Sequence, residues 1–146
     1  MLLNPSNYSL KHEDQEFQEI IHKTIQFFET KGLHKIKDDD THRVWYADFL
    51  EFVKKEKIFA TLLTPPSYGK KGYRWDTWRI AHFNEILGFY GLAYWYTWQV
   101  SILGLGPIWM STNEAQKQRA ASQLEAGEVF AFGLSEKDHG ADIYST

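Results

Sequence analysis

The most constraining feature of the chain is a run of 28 residues, 86–113, that contains no Asp, Glu, Lys or Arg. This run is longer than the roughly 20 residues that a helix needs to cross a bilayer. However, Tyr and Trp occur throughout its middle, whereas membrane-spanning helices concentrate such rings at the two interfaces. Gly104, Gly106 and Pro107 also interrupt it. We therefore predict a buried helix that other parts of a larger protein cover on every side, with a small membrane protein spanning through residues 86–110 as an alternative.

The bulk composition is typical of a soluble globular protein. Of 146 residues, 43% are apolar and 24% charged, which excludes a disordered chain. The net charge of −3 provides no basic excess for binding nucleic acid or an anionic membrane surface. The absence of cysteine excludes disulfides, thiolate metal sites and cysteine nucleophiles. Because the N-terminus lacks the pattern of a secretory signal, we expect a cytoplasmic location.

Apolar periodicity predicts helices in the first half of the chain. Residues 14–31 have apolar side chains at helical spacing and are followed by Gly32. The acidic run 38–40 precedes a second predicted helix, whose N-terminal dipole would favour negative charge. That helix is set by the spacing of Trp45, Phe49, Phe52 and Val53. Two prolines predict a loop over residues 64–72.

The second half of the chain predicts three more helices. From Asp76 the helical period returns and passes through Gly91 into the uncharged run, so two helices meet there. Ser111 and Glu114 have the spacing of a capping box, which predicts another helix over about 112–127. Aromatic residues make up 16% of the chain, and these helices must bury much of that surface.

Residues 129–134 are a short apolar run of β-formers, which predicts one strand followed by a turn. A single strand has no partner for its main-chain hydrogen bonds. We therefore predict a mainly α fold, with an all-α domain over residues 1–127. Residues 128–146 are predicted to be the opening strand and loop of a second, truncated β-domain.

Common motifs for metals, nucleotides and activated nucleophiles are absent from the sequence. The six histidines lack the spacing that places two ligands on one helix face, so we predict no metal site. The chain has no Gly-x-Gly-x-x-Gly motif after a predicted strand, no phosphate-binding loop and no Gly-x-Ser-x-Gly elbow. Gly104 and Gly106 lie within the apolar run, which favours close helix packing over phosphate binding.

The segment 130–142 combines a predicted strand with a hydroxyl, a carboxylate and a glycine turn. Such a strand end can present main-chain amides and the Ser135 hydroxyl to one planar, anionic ligand. A plain strand end with polar turn residues is the alternative, and the residues by themselves favour it.

Four segments occur in an order that resembles the N-terminal part of the acyl-CoA dehydrogenases. They read LGLGPI at 103–108, NEAQKQ at 113–118, LEAGE at 124–128 and FAFGLSEKDHGAD at 130–142. The loop TPPSYG at 64–69 is similar to the family's Val-Pro-Glu-Glu-Tyr-Gly-Gly loop. The resemblance covers most of the chain from about His42 onward. It implies the family's N-terminal helical bundle, followed by the first strand of its β-barrel domain.

The resemblance implies that the last motif binds FAD. Ser135 takes the place of the family's signature threonine, which hydrogen-bonds the flavin ring. The residues before it match the strand along the isoalloxazine, and the glycine turn matches a region near the flavin pyrophosphate and the acyl-CoA thioester. The implied cofactor-binding residues are Phe132, Gly133, Leu134, Ser135, Gly140 and Ala141.

The chain also departs from the family's pattern. Residues 137–139 read Lys-Asp-His where the family has Pro-Gly-Ala, and Ala141 replaces a serine. Ala141 is also the implied substrate-binding position, so a hydroxyl contact to substrate or pyrophosphate is missing there. This departure affects the expected handling of substrate more than the expected fold.

As an acyl-CoA dehydrogenase, the full-length protein would oxidise an acyl-CoA thioester in fatty acid metabolism. FAD would take up the hydride and pass electrons to an electron-accepting flavoprotein or another acceptor. The resemblance further implies a homo-oligomer, either a dimer or a tetramer. The family's catalytic base lies in a C-terminal helical bundle, so no catalytic residue is assigned to this chain. We therefore expect a fragment that is inactive by itself, with a cofactor-free helical interaction module as a further alternative.

Overall fold

The computed structural model describes residues 4–5, 14–140, 142 and 144–145, which form a bundle of seven helices and contain no strand. This part of the chain confirms the predicted mainly helical fold. The helices, in chain order, are α1 (Gln15–Lys31), α2 (Leu33–Thr41), α3 (Ala47–Lys55), α4 (Ile58–Leu63), α5 (Thr77–Tyr90), α6 (Leu92–Met110) and α7 (Glu114–Ala126).

Aromatic side chains fill the centre of the bundle. Phe28 on α1 stacks on Tyr90 of α5, with ring centroids 4.4 Å apart. Phe83 on α5 contacts the Trp98 ring of α6 edge-on at 4.7 Å. Phe28, Phe83 and Trp98 are completely buried. The expected burial of aromatic surface is therefore confirmed at the core, where edge-on and stacked pairs add to the hydrophobic term.

Helix α1 follows its predicted bounds because both ends are capped. The Asp14 carboxylate accepts a hydrogen bond from the Phe17 N–H at 3.1 Å. At the other end, Gly32 has a φ of 79° and its N–H donates to the Phe28 carbonyl oxygen at 2.8 Å. That φ favours glycine, so the chain turns there and enters α2 directly.

The prediction was wrong for the segment between α1 and α3. The acidic run 38–40 lies in the second half of α2 and does not cap a following helix. Asp39 is nearly buried and forms ion pairs with Lys31 at 3.0 Å and Lys35 at 2.6 Å. Because α2 buries only Ile36 and Asp39, its apolar period is too sparse to recognise. Trp45 precedes α3 and is 66% exposed, so it does not belong to the buried face of that helix.

Helices α5 and α6 meet at Gly91, as predicted. The Asp76 side chain caps α5 by accepting from the Arg79 N–H at 3.0 Å. A Cβ at Gly91 would lie 3.1 Å from the Tyr94 ring, so a side chain there would crowd the helix junction. In the described part of the chain, no helix combines the length and hydropathy that a membrane span requires.

One face of α6 is buried, and the expected cover on every side is not seen within the described residues. The buried residues include Trp98, Ser101 and Leu105. The opposite face exposes four large apolar side chains at helical spacing. These are Leu92, Tyr96, Leu103 and Met110.

Helix α7 has its predicted extent, but its cap is different. The Asn113 side chain accepts from the Gln116 N–H at 3.0 Å, so Asn113 is the N-cap. The Ser111 hydroxyl donates back to the Ile108 carbonyl oxygen at 2.8 Å and forms no capping box with Glu114. Gly127 ends the helix with a φ of 85°, and a Cβ there would overlap the Lys54 side chain.

Residues 128–140 form neither a helix nor a strand. The strand predicted over residues 129–134 is therefore not confirmed. A strand needs a neighbouring strand for its main-chain hydrogen bonds, and the described residues offer none.

Candidate functional site

Two small residues on α6 hold the start of the segment that carries the predicted site. The Ser101 hydroxyl accepts from the Phe130 N–H at 3.3 Å, and its single proton is shared between the carbonyl oxygens of Thr97 at 3.0 Å and Phe130 at 3.1 Å. One turn further along, a Cβ on Gly104 would lie only 2.7 Å from the Ala131 carbonyl oxygen. Gly104 therefore lets the main chain at Ala131 lie against the helix. The prediction of close helix packing is wrong at both glycines, because Gly104 packs against this non-helical segment and a Cβ on Gly106 would meet nothing within 4 Å.

The predicted cofactor-binding residues lie beyond this anchor. Phe132 and Leu134 are 46% and 37% exposed. Gly133 and Ser135 are also exposed. Residues 132–135 thus form a continuous accessible stretch. This stretch directly follows residues 130–131, which contact α6.

The glycine turn follows this stretch. The His139 N–H donates to the Glu136 carbonyl oxygen at 3.4 Å, which bends the chain. Gly140 is exposed, and a Cβ there would meet nothing within 4 Å. Ala141, predicted to contact cofactor and substrate, lies outside the described residues.

The accessible stretch has polar groups that can bind a ligand. Within the described part of the chain, the main-chain N–H groups of residues 132–135 make no hydrogen bond. The Ser135 hydroxyl adds a further donor, and such donors suit the carbonyl and nitrogen atoms around a flavin ring. The exposed Phe132 and Leu134 can cover an apolar ring face. The donor set therefore fits a flavin edge, while enclosure of the ring requires surfaces beyond this segment.

A polar clamp fixes α7, the helix that leads into the segment. Glu125 accepts hydrogen bonds from Lys70 at 2.6 Å and from the Tyr73 hydroxyl at 2.7 Å. The Tyr68 hydroxyl donates to Glu114 at 2.6 Å at the opposite end of the helix. All three donor side chains belong to the loop between α4 and α5. The loop that resembles the family's Tyr-Gly loop thus sets the position of α7.

The pKa values of this clamp reflect its hydrogen bonds. The Lys70 ammonium, followed by the Tyr73 hydroxyl, holds the pKa of Glu125 below its usual range. Burial, followed by the bond to Glu125, raises the pKa of Tyr73 to about 12. Glu125 is therefore ionised and Tyr73 is protonated at neutral pH. This is the protonation pattern in which the tyrosine donates and the carboxylate accepts.

Sequence reasoning missed the role of Ser101 as an anchor. The available signal was a pair of small residues, Ser101 and Gly104, three positions apart on an uncharged helix. Residues with this spacing share one helix face, where small side chains allow another main chain to approach. No group of three or more His, Asp or Glu side chains in the described residues is arranged to hold a metal ion.

Comparison of the chain with models of protein families, with curated proteins and with solved structures gives no match. The functional assignment therefore rests on the sequence motifs and on the geometry described above.

Proposed function

We propose that the chain is the N-terminal helical domain of a flavin-dependent acyl-CoA dehydrogenase, and that residues 132–140 contact FAD. The observation that carries this proposal is the attachment of the flavin-loop-like motif to the helical bundle. Ser101 and Gly104 hold residues 130–131 against α6, and residues 132–135, which follow directly, are all exposed. The motif order and the exposed position of the stretch support the same assignment.

The residues of this chain would bind and orient the cofactor. Ser135 would donate its hydroxyl proton to a polar atom at the flavin edge, where negative charge accumulates as the ring is reduced. Phe132 and Leu134 would pack on the ring system and exclude water. Gly133 and Gly140 would allow close approach, because neither has a side chain to obstruct the ligand. Bound FAD would supply the hydride acceptor for α,β-dehydrogenation of an acyl-CoA thioester.

The remaining parts of the assignment rest on the resemblance. The catalytic base would come from a C-terminal helical bundle outside this chain, and the strand over residues 129–134 would form when a β-domain supplies its partner. The electron acceptor would be another flavoprotein or a similar carrier. The complete protein would be a cytoplasmic dimer or tetramer, and this chain by itself would be inactive.

The test uses the complete protein that contains this chain. We expect it to purify with a flavin absorbance spectrum and to bind FAD after the cofactor has been stripped. Ser135→Ala removes one hydrogen bond and should weaken FAD binding by up to about tenfold. Ser135→Thr retains the hydroxyl and should bind as wild type. Ser122→Ala, an exposed serine on α7, is the matched control and should have no effect.

Two results would contradict the proposal. A complete protein that binds no FAD would exclude a flavoenzyme. Unchanged FAD affinity in Ser135→Ala, with normal folding, would remove Ser135 from the site.

The exposed apolar face of α6 favours a second candidate, a helical interaction module without a cofactor. Leu92, Tyr96, Leu103 and Met110 form a stripe of the kind that binds another protein surface. This candidate would be favoured if the complete protein bound no FAD and light scattering showed self-association that substitutions in the stripe abolish.

A further inference from the structure

A cavity of about 640 Å³ lies between α2, the loop between α2 and α3, and the junction of α5 and α6. None of the predicted flavin-binding residues lines it. Its volume is within the range of pockets that enclose most of a small organic ligand, roughly 300–1,000 Å³. We call this space the Trp45 cavity.

The walls of the Trp45 cavity are mainly apolar and aromatic. Tyr90 and Tyr94 line it and are nearly buried, so they form its floor. Trp45 and Leu92 line it and are more than half exposed, so they form its rim. Trp45 also stacks on Tyr46, with centroids 4.3 Å apart and planes inclined by 28°. A flat aromatic surface at the mouth of an apolar cavity suits a planar ring.

Two backbone features lie at the wall of this space. Gly91 lines the cavity at the helix junction, where a Cβ would lie 3.1 Å from the Tyr94 ring. On the facing loop, Arg43 has a φ of 53°, a left-handed conformation that is uncommon for a residue with a side chain. Hydrogen bonds from the Arg43 and Val44 N–H groups to the carbonyl oxygens of Asp40 and Asp39 hold the loop in place. These two bonds form the Schellman motif that ends α2, so the left-handed φ of Arg43 belongs to the C-terminus of that helix.

The charges at the cavity favour an anion. Lys37, Arg43, Asp39 and Asp40 all line it. Asp39 is already paired with lysines at 3.0 Å and 2.6 Å. In the described residues, neither Lys37 nor Arg43 forms an ion pair, and Asp40 is the one lining carboxylate without one. Among the side chains that line the cavity and form no ion pair, two are therefore cationic and one is a carboxylate. Arg43 can bind a carboxylate or sulfonate through two N–H groups.

We propose that the Trp45 cavity binds a planar aromatic anion, with its ring against Trp45 and the tyrosines and its charged group beside Arg43 or Lys37. This site is separate from the proposed flavin contact and does not depend on it. A protein segment inserting into the cavity is the competing explanation, and the experiment below distinguishes the two.

The test measures binding of three probes that share one ring system, namely 1-naphthoate, 1-naphthol and 1-naphthylmethylammonium. We expect naphthoate to bind with chemical-shift changes concentrated at the amides of Gly91, Leu92 and Tyr94. Its affinity should exceed that of naphthol by about tenfold, as expected for one charge-assisted hydrogen bond. The ammonium probe should bind more weakly than naphthol. Arg43→Gln should reduce the preference for naphthoate, whereas Lys55→Gln, at an exposed lysine on α3, should not.

A steric variant tests the location independently. Ala93 lines the cavity, and Ala93→Trp should fill it and abolish binding. Ala81→Trp, at an exposed alanine on α5, is the matched control and should bind as wild type. Binding that survives Ala93→Trp, a preference for the cation, or failure of all three probes to bind would overturn the proposal. Should Ala93→Trp unfold the chain, the probe preference and the Arg43→Gln result still decide the question.

Discussion

Ser101 and Gly104 act through their small size. The Ser101 hydroxyl binds both main-chain polar groups of Phe130, and the missing side chain of Gly104 makes room for the Ala131 carbonyl group. The serine stabilises this contact by accepting from the partly buried Phe130 N–H, while its single proton is shared between the Thr97 and Phe130 carbonyl oxygens. These two residues determine where the candidate flavin-binding stretch leaves the bundle.

A pair of glycines on α6 tests this role. Gly104→Ala should displace residues 130–131, because its Cβ would lie 2.7 Å from the Ala131 carbonyl oxygen. We expect faster amide hydrogen exchange at Phe130, with the cost of this displacement, about 1 kcal/mol or more, offset in part by the higher helix propensity of alanine.

Gly106→Ala is the control, because a Cβ there meets nothing within 4 Å. Alanine is the better helix former by roughly 1 kcal/mol, but Pro107 disfavours helical geometry at a preceding residue with a Cβ, so the control is read from amide exchange at Phe130, which should stay at the wild-type rate. Equal exchange rates at Phe130 in the two variants would show that Gly104 does not set the position of the segment.

At the scale of elements, the loop between α4 and α5 positions α7 through Glu125. Lys70 is mostly exposed, so its ion pair with Glu125 should contribute less than about 1 kcal/mol. The Tyr73 hydroxyl adds a second hydrogen bond to the same carboxylate. The loop and helix are thus joined through one acidic side chain.

This clamp predicts a pH dependence with a definite sign. Because the folded-state pKa of Glu125 is lowered, the clamp stabilises the fold above the carboxyl's unfolded pKa, and this stability is lost as pH falls through the folded pKa. Lys70→Gln should raise the pKa of Glu125 and destabilise the protein at neutral pH, with the difference from wild type vanishing in acid. Carbon-13 NMR titration of the Glu125 carboxyl measures the shift directly.

Lys71→Gln is the matched control for this titration. Lys71 is the exposed neighbour of Lys70 in the sequence. Its replacement should leave the pKa of Glu125 unchanged. A pKa of Glu125 that responds equally to both substitutions would indicate a general effect of surface charge and would contradict a specific clamp.

The sequence predicted those elements whose ends carry strong local signals. Gly32 and Gly127 both adopt positive φ, and Asp14 and Asp76 both cap helices. Their residue types alone indicate these roles.

Other features depend on tertiary contacts that local patterns do not encode. Helix α2 was missed because Asp39 occupies a nearly buried position that is normally apolar, and its lysine partners come from α1 and from α2 itself. The sequence predicted a site at residues 132–135, Gly140 and Ala141, but not the contact that holds the start of this segment, since the bond between Ser101 and Phe130 joins positions 29 residues apart. The strand over 129–134 depends on a pairing partner, and a local pattern specifies only half of such a pair.

At the scale of the whole molecule, the uncharged helix α6 has one buried face and one exposed apolar face. One face of α6 packs in the core, and the other presents Leu92, Tyr96, Leu103 and Met110 to the exterior. The accessible Phe132 and Leu134 add to the apolar surface outside the core. In the proposed complete dehydrogenase, further domains would cover these side chains and place a flavin against residues 132–140.

The central claim is tested most directly by anaerobic reduction of the flavin in the complete protein. A series of saturated acyl-CoA thioesters, from short to long chains, is added without any other reductant while the flavin absorbance is recorded. Our account predicts that at least one chain length bleaches the oxidised flavin spectrum and yields the corresponding enoyl-CoA. A flavin that stays oxidised with every thioester, or a complete protein that holds no flavin, would contradict it.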